Sequence, residues 1–180
     1  WWPKLEGRTA ASLEETRKQH HTGHYYLDAA VRQALWDLMA KEEGQPFYQF
    51  LGGQQKDAKV KAYGSPLDYP LSDAQTVAKL HELMNMGFEY YKVKVGGKDL
   101  QRDIDRLKLV KATVGSSAKI TADANEGWTW QQTLDSLEAF EKNGVSLAYI
   151  EDPLHRHDVE GFTELGKRNI PVAAHDYLNN

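Results

Sequence analysis

The chain has 180 residues, of which 41% are hydrophobic and 27% are charged, proportions typical of a soluble globular protein of about one domain. A formal net charge of −4 and a pI near 6.0 argue against nucleic acid or an anionic membrane as partner. The absence of cysteine excludes disulfides, thiolate nucleophiles and cysteine-bound zinc within this chain.

The opening residues show no signal-peptide pattern, and no apolar run approaches the roughly 18–20 residues that span a bilayer. We therefore expect a cytoplasmic protein with no membrane partner. The first residue is Trp1 rather than Met, so we expect the sequence to be a piece of a longer protein.

A capping-box pattern and a histidine-rich segment mark the first part of the chain. Ser12 and Glu15 form the capping box, which predicts a helix over about residues 13–20. Residues 20–24 contain three histidines, but adjacent histidines point in different directions and no fourth ligand is near. We interpret this segment as a loop over a ligand rather than a metal site, with His24 as a candidate substrate contact.

The second predicted helix, residues 26–41, has the clearest apolar periodicity in the chain. Asp28 in its first turn and Lys41 in its last complement the helix dipole, and Gly44 ends the helix. The predicted packing face consists of Leu27, Ala30, Val31, Ala34, Leu35, Leu38 and Met39. A short apolar segment, residues 47–51, follows and is interpreted as a packing anchor.

From about residue 60 onward, predicted strands and helices alternate without interruption. The predicted strands cover residues 60–63, 90–95, 120–125, 147–150 and 171–174. The predicted helices cover residues 73–86, 99–114, 129–143 and 158–168. This alternation is typical of consecutive right-handed βαβ units and a parallel sheet.

The second of these strands carries two lysines on one face. Lys92 and Lys94 are two positions apart, whereas Tyr91, Val93 and Val95 point to the opposite face and are predicted to be core. Two neighbouring ammonium groups repel each other and are costly to bury without partners. Taken alone, the strand fits an exposed edge strand whose lysines point into solvent. The alternative is a site with nearby carboxylates, a metal or an anionic ligand.

Charged residues end four successive strands, each one βα unit after the last: Lys94, Asp123, Glu151 and Asp176. Parallel strands bring their carboxyl ends to one edge, where barrels and open α/β sheets have their active sites. Three converging carboxylates would repel one another, and an oxygen-ligated Mg²⁺ or Mn²⁺ would relieve that repulsion. The alternative is that each acid caps the following helix, which fits three acids at this regular spacing less well.

The distribution of these groups favours a barrel over an open sheet. No glycine-rich phosphate loop follows the first strand, where residues 63–66 read Tyr-Gly-Ser-Pro, so an open-sheet nucleotide- or phosphate-binding protein is the weaker alternative. Four successive strand ends meet around one axis in a barrel. We predict an α/β fold in which residues 57–180 form the first five strands of a partial TIM-type (β/α) barrel, preceded by a helical domain of residues 1–56.

Four segments in this order resemble the mandelate racemase/muconate-lactonizing branch of the enolase superfamily. Lys92-Val93-Lys94 is similar to the family's second-strand lysine motif. Asp123-Ala124-Asn125 and Glu151-Asp152-Pro153 are similar to its third- and fourth-strand metal-ligand motifs. Residues 27–53 resemble the helical part of its capping domain, so the resemblance covers essentially the whole chain.

The resemblance implies abstraction of the proton α to a carboxylate, with Mg²⁺ stabilising the resulting enediolate. Lys94 would be the base, and Lys92 would lower the pKa of Lys94 by like-charge repulsion and help to bind the carboxylate. The metal would be held by Asp123, Glu151 and Asp176. Asn125, His175 and His24 are the residues expected to contact the substrate or its surroundings.

The sequence departs from the family pattern in two ways. The fifth-strand motif usually ends in Gly-Glu or Asp-Glu, whereas His175-Asp176 stands here, so His175 is an alternative third ligand to the shorter Asp176. The family's N-terminal sheet and its sixth to eighth strands, which supply the base on the opposite face of the substrate, are missing from the sequence. We therefore expect little or no turnover by residues 1–180 alone.

Within the family, residues 151–158 and the ending Tyr177-Leu178 are most similar to the sugar-acid dehydratases. The resemblance therefore implies a lyase that dehydrates a sugar acid, an aldonate or aldarate, and works as a homo-oligomer. The alternatives are a racemase, epimerase or cycloisomerase of the same superfamily, or a non-catalytic truncated member that serves as a subunit or binding module.

Overall fold

The computed structural model describes residues 6–19, 23–54, 59–97 and 99–174. The chain divides into two compact units, Trp1–Lys59 and Val60–Asn180. The assignment of the first unit to a capping domain and of the second to a catalytic domain stays a prediction. No helix in the described part of the chain combines the length and the apolar character needed to cross a membrane.

The first unit contains three helices, α1 (Ala10–Gln19), α2 (Tyr25–Glu42) and α3 (Phe47–Phe50). The two longer predicted helices are confirmed, although α1 begins three residues earlier than its capping-box pattern indicated.

The predicted packing face of α2 is only partly correct. Leu35 is buried, but Leu27 is 47% exposed and Leu38 is 45% exposed. Among the described residues α2 packs against α1 and α3, and these two short helices cover only part of its apolar stripe.

The second unit contains five strands and four helices in strict alternation. The strands are β1 (Tyr63–Leu67), β2 (Tyr90–Lys94), β3 (Lys119–Asp123), β4 (Ile150–Glu151) and β5 (Val172–Ala173). The helices are α4 (Asp73–Asn85), α5 (Leu100–Val114), α6 (Trp130–Lys142) and α7 (Val159–Lys167). All neighbouring strands pair in parallel, in the order β1-β2-β3-β4-β5. The predicted parallel α/β architecture is confirmed.

The position of β1 was predicted wrongly. The apolar segment at 60–63 suggested a strand there, but Val60 is 90% exposed and the strand runs over Tyr63–Leu67 instead. Gly64, Ser65 and Pro66 are residues typical of turns, and the strand accommodates them because its register with β2 shifts between Gly64 and Leu67. Proline has no N–H to donate and is tolerated at such an irregularity on an edge strand.

Side chains at the helix N-termini set where three of the helices begin. Ser72 with Gln75, and Thr129 with Gln132, form complete capping boxes at the starts of α4 and α6. Asp99 caps α5 by accepting from two backbone N–H groups. The three capped helices directly follow β1, β2 and β3, so their N-termini lie at the edge where those strands end.

The core lies between one face of the sheet and the helices. Tyr91, Val93 and Val95 of the β2 segment are buried, as the alternation predicted. They belong to a cluster with apolar residues of the helices and neighbouring strands, including Leu80, Leu83, Ile104, Leu107, Val110, Ile120, Phe140 and Ile150. The opposite face of β2, β3 and β4 carries the polar residues Lys92, Lys94, Thr121, Asp123 and Glu151.

Candidate active site

The candidate site lies on the polar face of the sheet, at the carboxyl ends of β2, β3 and β4. The parallel register pairs Lys94 with Asp123 and Asp123 with Glu151. Three of the residues predicted from strand-end spacing therefore stand in one row across three neighbouring strands. Lys92 lies on the same face of β2, two residues before Lys94.

Lys92 is buried and paired with two carboxylates. Its Nζ donates to Glu151 Oε1 at 2.9 Å and lies 3.2 Å from Asp123 Oδ2. The ammonium also lies 4.9 Å from the centre of the Tyr63 ring, within cation–π range. Since β2 lies between β1 and β3 and Lys92 is buried, the exposed-edge interpretation of this strand is wrong.

Lys94 is more accessible than Lys92, with 25% of its side chain exposed against 10%. Its Nζ donates to Asp123 Oδ2 at 2.5 Å and to Asn125 Oδ1 at 2.6 Å. Asn125 adopts a positive φ of 47°, a region that asparagine tolerates well, and its N–H donates to Asp123 Oδ1 at 3.0 Å. The turn after β3 thus places the Asn125 side chain against Lys94.

The ion pairs decide the charge states of the buried groups. Burial disfavours the charged form of Lys92, but the hydrogen bond and charge of Glu151 outweigh it and raise the pKa of Lys92 above its usual value. Burial likewise opposes ionisation of Asp123, but the hydrogen bonds from Lys94 and the Asn125 N–H outweigh it and lower the pKa of Asp123. The predicted lowering of the Lys94 pKa by Lys92 stays a prediction.

A third buried carboxylate, Asp152, joins Asp123 and Glu151. Each of the three offers an oxygen, and these oxygens lie within 4.8 Å of one another. The sequence places Asp152 in the fourth-strand motif, but no role was predicted for it. In a continuous strand its side chain would point away from that of Glu151. The strand ends at Glu151, and Asp152 has a φ of 41°, so the alternation no longer applies. The Asp152 N–H donates to Ala173 O at 2.9 Å, which holds this turn against β5.

The carboxylate cluster fits a hard divalent cation. Its donors are buried carboxylate oxygens, the ligand type that Mg²⁺ and Mn²⁺ prefer. The cluster carries three potential negative charges against the two positive charges of Lys92 and Lys94.

The loops beyond β3 and β4 are joined by a further ion pair that the sequence did not reveal. Arg156 Nε lies 2.8 Å from Glu126 Oε1, and the Glu126 N–H donates to Asp152 O at 2.7 Å. The rings of His155 and His157 lie 5.3 Å apart on the same loop as Arg156. The segment after Glu151 that contains His155 and His157 is therefore joined through Arg156 and Glu126 to the turn at Asp152.

Three predicted site residues lie outside the described part of the second unit. His175 and Asp176 lie outside the described residues. His24 lies in the first unit, where it immediately precedes α2 and makes no side-chain cap. Their predicted roles stay predictions.

Comparison with known proteins gives a consistent family. The family described as Enolase C-terminal domain-like matches residues 75–180. The L-Ala-D/L-Glu epimerase of Bacillus subtilis is 32% identical over 166 residues, which cover 91% of this chain and 44% of the relative. The arabinonate dehydratase of Saccharolobus solfataricus is 33% identical over 153 residues, which cover 82% of this chain and 39% of the relative.

A solved structure shows the same fold. The L-talarate dehydratase of Polaromonas sp. JS666, complexed with Mg and L-glucarate, superposes with a TM-score of 0.76 at 25% identity, covering 96% of this chain and 50% of that one. The chain spans less than half the length of the two curated relatives, which are an epimerase and a dehydratase.

Proposed function

The chain belongs to the mandelate racemase/muconate-lactonizing branch of the enolase superfamily, with its parallel strands forming part of a TIM-type barrel, and from this we propose that it removes the proton α to the carboxylate of a small organic acid. One observation carries the proposal. An accessible lysine, Lys94, ends its strand beside buried carboxylates of the next two strands, at the edge where barrels perform chemistry.

We assign the base to Lys94 because it is the more accessible of the two lysines and stands at the end of its strand. In its neutral form, Nζ accepts the proton from the carbon next to the substrate carboxylate. Asn125 Oδ1, at 2.6 Å, orients the amine. A base that is held in place avoids the entropy cost of finding its substrate.

Lys92 has a different role, which follows from its pairing. The hydrogen bond and charge of Glu151 raise its pKa, so Lys92 keeps its positive charge while Lys94 takes up the proton. In the proposed mechanism this fixed charge faces the substrate carboxylate, where a preorganised charge stabilises the negative charge of the transition state.

Mg²⁺ or Mn²⁺ is the proposed cofactor, held by Asp123 and Glu151 with Asp176 as the third predicted ligand. Asp152, within the same cluster, is a second candidate for that third position. When bound, the cation would stabilise the negative charge that develops on the substrate carboxylate.

For the overall reaction, we propose dehydration of a sugar acid. After Lys94 has removed the C2 proton, the C3–O bond breaks and the departing hydroxide takes up one proton, so that the two fragments together leave as water. The enol that remains tautomerises to the 2-keto-3-deoxy acid. The support is the similarity to arabinonate dehydratase and to the talarate dehydratase structure, together with the polar loop around Arg156. A sugar acid offers hydroxyl groups that such a loop can bind.

Epimerisation or racemisation is the second candidate. It begins with the same proton removal but ends with return of a proton to the opposite face of the carbon. The similarity to L-Ala-D/L-Glu epimerase over 91% of this chain favours it. The two reactions share Lys94 and differ in the fate of the intermediate.

The test is exchange of the substrate α-proton in D₂O with Mg²⁺, followed by NMR. The panel comprises aldonates, aldarates, dipeptides and N-acyl amino acids, assayed with the chain and with any longer protein that contains it. We expect exchange with at least one acid, its abolition in Lys94→Ala, and no change in Lys119→Ala, an exposed lysine of β3.

The products distinguish the candidates. A 2-keto-3-deoxy acid indicates the dehydratase, and inversion at the α-carbon indicates the epimerase. Exchange that survives Lys94→Ala, or no exchange with any acid by either the chain or a longer protein that contains it, would overturn the proposal. Cation binding without exchange would favour a non-catalytic member.

A further inference from the structure

Asp103, in the first turn of α5, is a buried carboxylate that the proposed mechanism does not use. Only 1% of the residue is exposed. It is not the helix cap, because Asp99 already accepts from the Gln101 N–H at 2.9 Å. Asp103 instead accepts from the Gly96 N–H at 2.9 Å and from the Tyr69 hydroxyl. Its burial therefore serves contacts outside its own helix.

Arg106, one turn further along α5, is equally buried and holds the loop after β1. Its guanidinium donates to Leu67 O at 2.9 Å and to Asp68 O at 3.0 Å, and it lies 5.1 Å from the centre of the Tyr69 ring. The Tyr69 hydroxyl in turn accepts from the Gly97 N–H. Tyr69, Asp103 and Arg106, here called the loop anchor, thus tie the loops after β1 and β2 to one helix.

The loop held by Asp103 leads directly from Lys94. Gly96 is two residues beyond Lys94 and has a φ of 89°; a Cβ there would lie 3.1 Å from Ala124 O. Between them, the Val95 N–H donates to Asp123 O at 2.9 Å. Moving Gly96 would therefore shift the end of β2 and its last contact with β3.

A buried carboxylate and guanidinium are poor sources of net stability, because desolvation offsets most of the attraction. Their directional hydrogen bonds do specify the paths of two loops, the one after β1 through Leu67 O and Asp68 O and the one after β2 through the Gly96 N–H. We propose that Asp103 is a positioning residue for Lys94, acting through Gly96, an inference that rests on the proposed role of Lys94 as base. It requires no contact between Asp103 and the substrate.

The first test measures the position of Lys94 without any substrate. The rate at which acetic anhydride acylates Lys94 is measured by peptide mass spectrometry, relative to the exposed Lys119. We expect Asp103→Asn and Tyr69→Phe to raise the relative rate at least about threefold, because a released strand end exposes the amine. Asp105→Asn, an exposed neighbour on the same helix, should leave it unchanged.

Leu107→Ala separates positioning from loss of stability. Leu107 is buried on α5 and lies in the core, so its truncation should destabilise the fold without changing Lys94 acylation. If Asp103→Asn does not fold, the acylation rate in Tyr69→Phe tests the inference instead. This substitution removes only the hydroxyl that donates to Asp103 and keeps the ring beside Arg106. Unchanged Lys94 acylation in the folded anchor variants, or an equal rise in Leu107→Ala, would overturn the inference.

The second test uses the α-proton exchange assay. We expect the anchor variants to lower kcat about tenfold with KM nearly unchanged, since a displaced base weakens the chemical step more than binding. If the unmodified protein exchanges no substrate, the proposed function fails, while the acylation rates still decide the role of Asp103. If exchange occurs and the anchor variants behave as the unmodified protein in both assays, only this inference fails.

Discussion

Lys92 of β2 and Glu151 of β4 form a buried ion pair of 2.9 Å that passes over the intervening strand β3. Alternate strands of a sheet are about 9.5 Å apart, so only two long side chains directed toward each other close this gap. Asp123 of β3, the strand between them, forms ion pairs with both Lys92 and Lys94. One ammonium therefore links carboxylates that lie far apart in the sequence.

Replacing Lys92 by Met should destabilise the protein by about 3–5 kcal/mol at pH 7, because it leaves the buried Glu151 carboxylate without its counter-charge. The measurement is urea unfolding followed by circular dichroism. Lys119→Met, which removes an exposed lysine from β3, is the control and should cost less than about 1 kcal/mol. A loss in Lys92→Met no larger than in the control would show that the pair contributes little.

Asp123→Asn and Glu151→Gln should each weaken Mg²⁺ or Mn²⁺ binding by at least about tenfold, because each removes a charged ligand oxygen. Isothermal titration calorimetry measures the affinity for Mg²⁺, and electron paramagnetic resonance that for Mn²⁺. Glu160→Gln, an exposed acid on α7, controls for the loss of one charge.

Asp152→Asn and Asp176→Asn, measured in the same way, should separate the two candidates for the third ligand. The variant with the larger loss of affinity identifies the ligand. Affinities unchanged in Asp123→Asn and Glu151→Gln would argue against the metal site altogether.

The pH dependence of stability should reveal the buried Asp103. Burial outweighs its hydrogen bonds from Tyr69 and the Gly96 N–H and raises the pKa of the carboxyl. The folded state then binds the proton more tightly than the unfolded state, whose pKa is about 3.9. The contribution of Asp103 to the free energy of unfolding is therefore greatest below that pH and falls as the pH rises through the folded pKa.

Asparagine does not titrate, so the difference in unfolding free energy between the unmodified protein and Asp103→Asn isolates this effect. We expect that difference to fall as the pH rises from about 3.9, the unfolded-state pKa, through the higher folded-state pKa of Asp103, and then to level off. Urea unfolding at a series of pH values provides the measurement. A difference that rises with pH would mean that hydrogen bonding outweighs burial.

Leu107→Ala should cost about 2–5 kcal/mol, because Leu107 is fully buried between α5 and the sheet. Leu109→Ala, two residues along the same helix and only partly buried, should cost clearly less. Urea unfolding at one pH compares them. Equal losses would contradict the packing face that the helical period predicts.

Local spacing along the chain was sufficient to predict much of the fold. Period-two alternation separated Lys92 and Lys94 from Tyr91 and Val93, because neighbouring side chains of a strand point to opposite faces. The alternation of strands and helices predicted the parallel sheet, since a short βαβ connection leaves few other arrangements. The predicted position of β1 was wrong because Gly64-Ser65-Pro66 is typical of a turn. In the structure these residues instead pair with β2 as an irregular strand.

The partners of the site residues follow from packing rather than from local pattern. Asp152 lies with Asp123 and Glu151 because its backbone turns as β4 ends, and a hydrogen bond to Ala173 holds that turn. The contacts of Asp103 with Gly96 and Tyr69 depend on how two loops meet one helix. Residue types and their periods specify which groups are present at each strand end. Register and loop path, set by contacts between residues distant in the chain, determine which of those groups meet.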